Sequence, residues 1–287
     1  MYIILGGTGH VGSAAAKTLL AQGAPVTIVT RDEGKAGDLK QAGATVAIAD
    51  VGDTDALRRV FATGRRAFLL NPPADPGTDT DAEEKRTIAL ILAALDGSGL
   101  EKVVAESTYG AQPGDRIGDL NTLYALEQGL KAQPIPASII RAAYYYSNWD
   151  ASLDTARKEG VLHTMFPADF ALPMVAPQDL GAQAARLLTE PVDRTGTYYV
   201  EGPERCSSAD VAAAFAAALG KPVTTVVTPR EHWVEAYKAL GFSDPAAASY
   251  ARMTAITLDD GFDAEAPVRG LVTLDDYVAD LVRGAPG

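Results

Sequence analysis

The sequence predicts an α/β protein: a doubly wound parallel sheet followed by a smaller, mostly helical C-terminal lobe. Three observations carry this. Short apolar runs starting near residues 2, 26, 45, 67, 102 and 137 alternate with stretches of helical periodicity. Repeated βα units of that kind, joined by right-handed crossovers, build a parallel sheet with helices on both faces. The first run passes directly into a glycine-rich turn and a helix, and beyond Arg141 the strand signals thin out.

The first strand is Tyr2–Leu5. Glycines follow at 6, 7, 9 and 12, and then a helix over Val11–Gln22 whose Val11, Ala15, Leu19 and Leu20 recur at helical spacing. In a strand–turn–helix context the glycines read as a dinucleotide fingerprint. Gly6 permits the tight turn, Gly9 lets the backbone approach a pyrophosphate, and Gly12 lets the helix pack close to the strand. The helix N-terminus brings unbonded N–H groups and a positive dipole end to the phosphates. Gly6, Thr8, Gly9, His10, Val11 and Gly12 are the expected contacts; the alternative is a purely structural loop.

Gly23 ends that helix, and Val26–Thr30 forms the second strand, leading into Arg31-Asp32. The end of this strand meets the adenosine ribose, where an acidic residue selects NAD(H). Arg31 comes first here, and a guanidinium fork matches a 2′-phosphate, so NADP(H) is preferred. Asp32 keeps NAD(H) open, and Arg31 has the alternative of stacking on adenine or standing in solvent. Lys35 adds a second positive charge. A third strand, Thr45–Ala49, ends at Asp50-Val51, which places both beside the adenine. Asp53 reads as the N-cap of a helix running to about Phe61. The fourth strand, Ala67–Leu70, exits through Asn71-Pro72-Pro73, and the prolines enforce an extended path. Asn71 and Pro72 thereby lie along the route of the pyrophosphate and nicotinamide ribose, with the polar loop 74–81 as a rim.

A helix from about Thr80 to Asp96 carries Ile88, Ile91, Leu92 and Leu95 on one face. The fifth strand is Lys102–Ala105, with Glu106 to Gly110 at its carboxyl edge. Ligands of open parallel sheets sit beyond that edge, so Ser107 is assigned to the cofactor, and Thr108 and Tyr109 to the neighbourhood of the nicotinamide. Turn chemistry and capping are the alternative for each. Leu120–Ala132 reads as a helix and Ala137–Ala142 as the sixth strand. Next come Tyr144, Tyr145, Tyr146 and Trp149. Tyr144, Tyr145 and Trp149 can wall a flat substrate or plug the seam between two lobes. Residues 1–150 are assigned to the sheet domain, joined by 174–204, and 151–287 to the lobe. Helices are expected near Asp150–Lys158 and at Gln178–Leu188, Ala209–Leu219, Pro229–Leu240, Asp244–Ala255 and Leu274–Val282, with a short strand at Thr197–Val200.

Composition narrows the function. With 47% apolar and 22% charged residues, the 287-residue chain can bury a substantial core. Its net charge of −12 argues against nucleic acid and anionic membranes as partners. No apolar run approaches the ~18 residues that span a bilayer, and no basic leader precedes the first strand, so a soluble, cytoplasmic protein is expected. The single cysteine, Cys206, excludes an internal disulfide, and His10, His163 and His232 lack ligand spacing, so no metal site is assigned.

The sequence resembles the NmrA-like family, atypical relatives of the short-chain dehydrogenases/reductases. The resemblance rests on Gly6 to Gly12, Arg31, Asn71-Pro72-Pro73, Ser107 to Gly110, and Glu127 with Ile135 to Arg141. Ala176 to Leu180 and Glu201 to Glu204 extend it over essentially the whole chain. It implies a Rossmann-type NAD(P)-binding sheet with a small C-terminal lobe closing a substrate cleft. It also implies one of two activities: NADPH-dependent reduction of quinones or triarylmethane dyes, or dinucleotide sensing by a regulator that contacts a protein partner. Conventional short-chain dehydrogenases place a Tyr-x-x-x-Lys pair on the helix before the sixth strand, where lysine lowers the pKa of the proton-donating tyrosine. Here Tyr124 is followed four residues later by Gln128, and no such pair exists. Reducing a simple ketone leaves a basic alkoxide that needs a positioned donor, whereas a quinone leaves a delocalised anion that water can protonate. A conjugated small-molecule acceptor is therefore expected, with Tyr109 and Tyr124 as candidate proton donors.

Overall fold

The computed structural model describes residues 1–284. The chain opens with β1 (Tyr2–Leu5), α1 (His10–Ala21), β2 (Val26–Thr30), a 3-10 turn at Glu33–Ala36, α2 (Gly37–Gln41), β3 (Thr45–Ile48), α3 (Thr54–Phe61) and β4 (Arg66–Leu69). It continues through α4 (Thr80–Leu95), β5 (Lys102–Thr108), α5 (Asp119–Lys131) and β6 (Ala137–Ala142). After these come β7 (Tyr144–Tyr145), α6 (Leu153–Glu159), β8 (Val161–Thr164), β9 (Leu172–Val175), α7 (Pro177–Thr189), β10 (Gly196–Glu201) and β11 (Arg205–Cys206). The last elements are α8 (Ser208–Leu219), β12 (Thr224–Val227), α9 (Trp233–Ala239), α10 (Asp244–Asp260), β13 (Val268–Arg269) and α11 (Leu274–Arg283).

The main sheet has eight parallel strands in the order β13-β10-β6-β5-β4-β1-β2-β3. Strand order reverses on either side of β1, and such switch points create the crevice in which open α/β sheets bind ligands. The strands are near-continuous apolar runs because helices cover both faces. On one face Ile4, Ile28, Phe68, Val104 and Ile140 pack with Val11, Ala15, Leu19 and Leu180 of α1 and α7. On the other, Ile3, Val29, Leu69 and Val103 pack with Leu57, Ile88, Ile91, Leu126 and Leu130 of α3, α4 and α5. Helices α1 and α7 meet backbone to backbone: a Cβ on Gly181 would overlap Ala14 and Ala15. A third cluster, around Tyr146, Trp149, Leu162, Phe166, Met174 and Phe215, gathers residues from β7 onward, including Tyr277 and Val278 of α11.

The six expected strands and the helices between them are present. Four features extend or correct the sequence reading. Strand β5 runs on to Thr108 because Glu106, Ser107 and Thr108 pair with Ile140, Arg141 and Ala142. The sheet gains β10 and β13 beyond β6. The C-terminal part holds small sheets as well as helices, β11-β9-β7 and β12-β8, whose strands of two to four residues are too short to show alternation. The helix expected near Asp150 starts as a 3-10 turn over Tyr146–Ser152 and becomes α-helical at Leu153.

Candidate dinucleotide site

The glycine turn has the form its spacing predicts. Gly6 has φ +66°, and a Cβ there would lie 2.8 Å from Leu70 Cδ2. A Cβ on Gly12 would overlap the Gly6 carbonyl oxygen, so α1 can start this close to β1 only without one. Gly9 N–H donates to the Gly6 carbonyl at 2.9 Å, and Gly7 N–H to the Val29 carbonyl at 3.1 Å. Gly9 is the N-cap of α1, no side chain caps it, and no acidic residue stands in the first turn. The N–H groups of His10, Val11 and Gly12 have no acceptor within the helix. The Thr8 hydroxyl pairs with that of Thr30 at 3.1 Å, tying the turn to the end of β2.

At the adenosine end the two acidic candidates differ in engagement. Asp32 accepts from Gly34 N–H at 2.9 Å and caps the 3-10 turn. Asp50 accepts from Gly52 N–H at 2.7 Å, while Val51 sits between them in the turn. Arg31, with its side chain 76% exposed, reaches Asp50 only at 3.9 Å. Among the described residues no carboxylate lies within ion-pair distance of Lys35. Asp53 caps α3 through Ala56 N–H at 2.8 Å, as expected. Past β4, Asn71 leaves its side-chain oxygen buried without a hydrogen-bond partner, and Pro72 beside it is half-buried. A cradle that a Cβ would fill, an uncapped helix start and an orphaned amide oxygen on the same edge fit a dinucleotide diphosphate and its ribose.

The residues that follow β5 divide. Ser107 is buried, and its hydroxyl donates to Glu127 Oε1 at 2.6 Å. Glu127 also accepts a bidentate pair of bonds from Arg141, both 2.8 Å, and Arg141 donates to Tyr199 at 2.9 Å. Tyr109 is buried too, with its hydroxyl on Glu201 at 2.7 Å and its pKa driven upward by desolvation. Both hydroxyls are thus engaged inside the protein. Thr108 is half-buried at the strand end. Tyr124 stands half-buried on α5, one turn before the exposed Gln128.

Tyr144 and Trp149 meet with ring centroids 5.9 Å apart, and Phe166 lies edge-on to Tyr144 at the same separation. Trp149 is 5% exposed, so its ring is packed within the C-terminal core cluster. A second aromatic group, Tyr237 of α9, Phe242 of the loop that follows and Tyr250 of α10, packs with centroids 4.9 to 5.8 Å apart. It was not singled out in the sequence because its members are spread over two helices and the loop between them. Two acids, buried Glu84 and half-buried Asp119, also meet here. Desolvation raises the pKa of Glu84, against the hydrogen bond from Thr122, and that of Asp119 at the head of α5. Asp119 acts through space on Glu84, Tyr145, Tyr237 and Tyr250, which places all of them in one neighbourhood. Tyr145, half-buried, donates to Glu106 on β5. Among the described residues no cluster of His, Cys, Asp or Glu is placed to hold a metal ion, and no helix is long and apolar enough to cross a membrane.

The NmrA-like family model matches residues 2–264. The chain belongs to the NmrA-like family. Among its relatives, an NAD(P)H azoreductase of Xenophilus azovorans is 24% identical over 260 residues, covering 91% of this chain and 88% of the relative. Quinone oxidoreductase 2 of Escherichia coli is 25% identical over 246 residues, covering 85% and 83%. The crystal structure of the Citrobacter sp. triphenylmethane reductase complexed with NADP(H) superposes with a TM-score of 0.80 at 19% identity, covering all of both chains. The NmrA-like segments late in the sequence have structural work. Asp179 accepts from Leu271 and Val272 N–H at 3.0 and 3.1 Å. Glu201 takes Tyr109 and an ion pair from Arg269 at 2.7 Å.

Proposed function

We propose that this chain is an NADP(H)-dependent reductase that passes hydride to a quinone-like or otherwise conjugated small molecule. The observation that carries the reading is the uncapped start of α1 above a turn with no room for side chains at Gly6 and Gly12. The amides of His10, Val11 and Gly12 would hold the diphosphate, and Arg31 the 2′-phosphate. Asp50 and Val51 would flank the adenine, and Asn71, Pro72 and Thr108 the nicotinamide ribose. Bound reduced nicotinamide supplies the hydride. NADP(H) over NAD(H) follows from Asp32 being engaged with Gly34 while Arg31 is held by one long contact. Residues 1–150 with 174–204 would carry the nucleotide, and 151–287 would close the cleft with Tyr144, Tyr145 and Trp149 against a planar acceptor. The names of the azoreductase, the quinone oxidoreductase and the triphenylmethane reductase support a conjugated acceptor. So does the absence of a Tyr-x-x-x-Lys pair at Tyr124. A cytoplasmic location fits this use of the cofactor.

The test is NADPH oxidation with a panel of quinones, dyes and small aldehydes, followed at the reduced nicotinamide band. Turnover with the conjugated acceptors is expected. Tight binding of NADP⁺ and NADPH by calorimetry, with no turnover of any acceptor, would overturn the reading in favour of a dinucleotide-sensing regulator.

A further inference from the structure

Glu106 has no role in the reading above, yet it stands where the chemistry would occur. The register's last pair is Leu69 with Ala105, so Leu70 just past β4 and Glu106 of β5 follow it, and Leu70 packs against Gly6 at the start of the glycine turn. Glu106 is 3% exposed. One carboxyl oxygen bonds the Tyr145 hydroxyl, and the other is buried with no hydrogen-bond partner. An ionised carboxylate left half-solvated in this way is costly, and a neutral acid avoids the cost. Burial accordingly pushes Glu106 up to about 7, against the opposing effect of the Tyr145 hydrogen bond.

Other charged groups near β5 are engaged elsewhere. Arg141 of β6 is paired with Glu127, and Arg66 of β4 donates to the carbonyls of Leu188 and Glu190. Lys102 donates to the carbonyls of Pro191 and Arg194. On α7, Asp179 holds the amides of Leu271 and Val272, and Arg186 pairs with Glu190. Tyr145 is the titratable partner of Glu106, and Asp119 of α5 acts through space on Tyr145.

We propose that Tyr145 and Glu106 form a proton relay in which Tyr145 protonates the anion left on the acceptor and Glu106 reprotonates Tyr145. The relay rests on the reductase reading. The acceptor takes hydride, two electrons and one hydrogen, from the reduced nicotinamide and becomes an anion. The Tyr145 O–H bond breaks as the acceptor gains its proton. The Glu106 O–H bond then breaks as the Tyr145 O–H re-forms, and Glu106 recovers a proton from solvent after product leaves. When Glu106 is ionised, the phenol proton is held on the carboxylate. When Glu106 is neutral, its own O–H donates to the Tyr145 oxygen, and the phenol hydrogen is free to turn toward the cleft. Tyr145 is then the catalytic residue and Glu106 a positioning residue that acts through it, where other short-chain enzymes use a lysine.

The test uses the full chain and Y145F and E106Q variants, with two kinds of acceptor. A quinone leaves a delocalised anion, and an azo dye leaves a localised, basic one. Y145F is expected to lower kcat about 100-fold for the localised acceptor and under about 10-fold for the quinone, within the range of a positioned acid. The Kd for NADPH should be unchanged. Wild-type kcat should fall as pH rises through about 7, and E106Q should flatten that limb. Infrared titration of the ligand-free protein should show protonated carboxyls lost over the same range, and the wild-type-minus-E106Q difference should isolate the Glu106 band from those of Glu84 and Asp119. A carboxylate ionised throughout, a pH limb unmoved by E106Q, or equal loss for both acceptors in Y145F would overturn the relay alone. No turnover by the wild-type chain would overturn the reductase reading and the relay with it.

Discussion

The two sides of the sheet's carboxyl edge handle charge in opposite ways. Beyond β2 and β3, Arg31 and Asp50 face water, 3.9 Å apart and both more than half exposed. Along the last residues of β5 and β6, Glu127 of α5 and Arg141 of β6 are 1% and 16% exposed and joined by two short bonds, with Ser107 and Tyr199 completing the set. An exposed ion pair contributes little to stability, so an incoming phosphate can take Arg31 at small cost. A buried pair is expensive to break because the partner left behind is charged and dry. The open side is therefore suited to choosing a ligand, and the closed side to holding strands in place. Glu106 stands between the two cases: buried like Glu127, but with one oxygen unpartnered like a group awaiting work.

The largest break in this comparison should come from Glu127→Ala. It strands Arg141 and removes the acceptor of Ser107, so urea denaturation should show a loss of about 3–5 kcal/mol. Next is the pH dependence of stability set by Glu106. Its pKa is raised on folding, so its stabilising share is complete below the ordinary carboxylate value and is lost as pH rises toward about 7. The wild type should lose about 3 kcal/mol more than E106Q across that window. A parallel dependence in both proteins would show that Glu106 is ionised in the fold. Arg31→Ala should weaken NADPH binding about tenfold or more, while NADH changes by less than about twofold; equal losses in calorimetry would remove Arg31 from the 2′-phosphate. The smallest effect should come from Arg65→Ala, which breaks an exposed pair with Glu101 and should cost below about 1 kcal/mol.

The open side was the legible one. Glycines at fixed offsets after a strand have few other uses, and Arg31 follows directly on β2, so local sequence carries both. The closed side is written in partners far apart along the chain. Tyr145 lies 39 residues after Glu106, and Glu201 lies 92 after Tyr109. Sequence placed Ser107 and Tyr109 at the carboxyl edge of β5, too far out for Ser107, which lies within the strand. Hydroxyls there can face either cofactor or core, and only packing distinguishes them. A carboxylate inside the apolar run Val103-Val104-Ala105-Glu106 was a signal in itself, since central strands seldom bury an acid without a purpose. The segments after Val175 that carried the family resemblance, with Asp179 and Glu201, are bracing: they fasten residues 269–272 to the sheet. The short strands after Ala142 were not readable because two to four residues hold no period.

Quinones and related acceptors are alkylating agents as well as oxidants, and they add to thiolates. The chain carries one thiol, Cys206, which lies 6% exposed on β11 and is pushed by desolvation up to about 11. Since the thiolate is the nucleophile, only about one such group in ten thousand is reactive at neutral pH. A protein proposed to meet such electrophiles thus offers them little thiolate, and arylation at Cys206 should be slow until the chain unfolds.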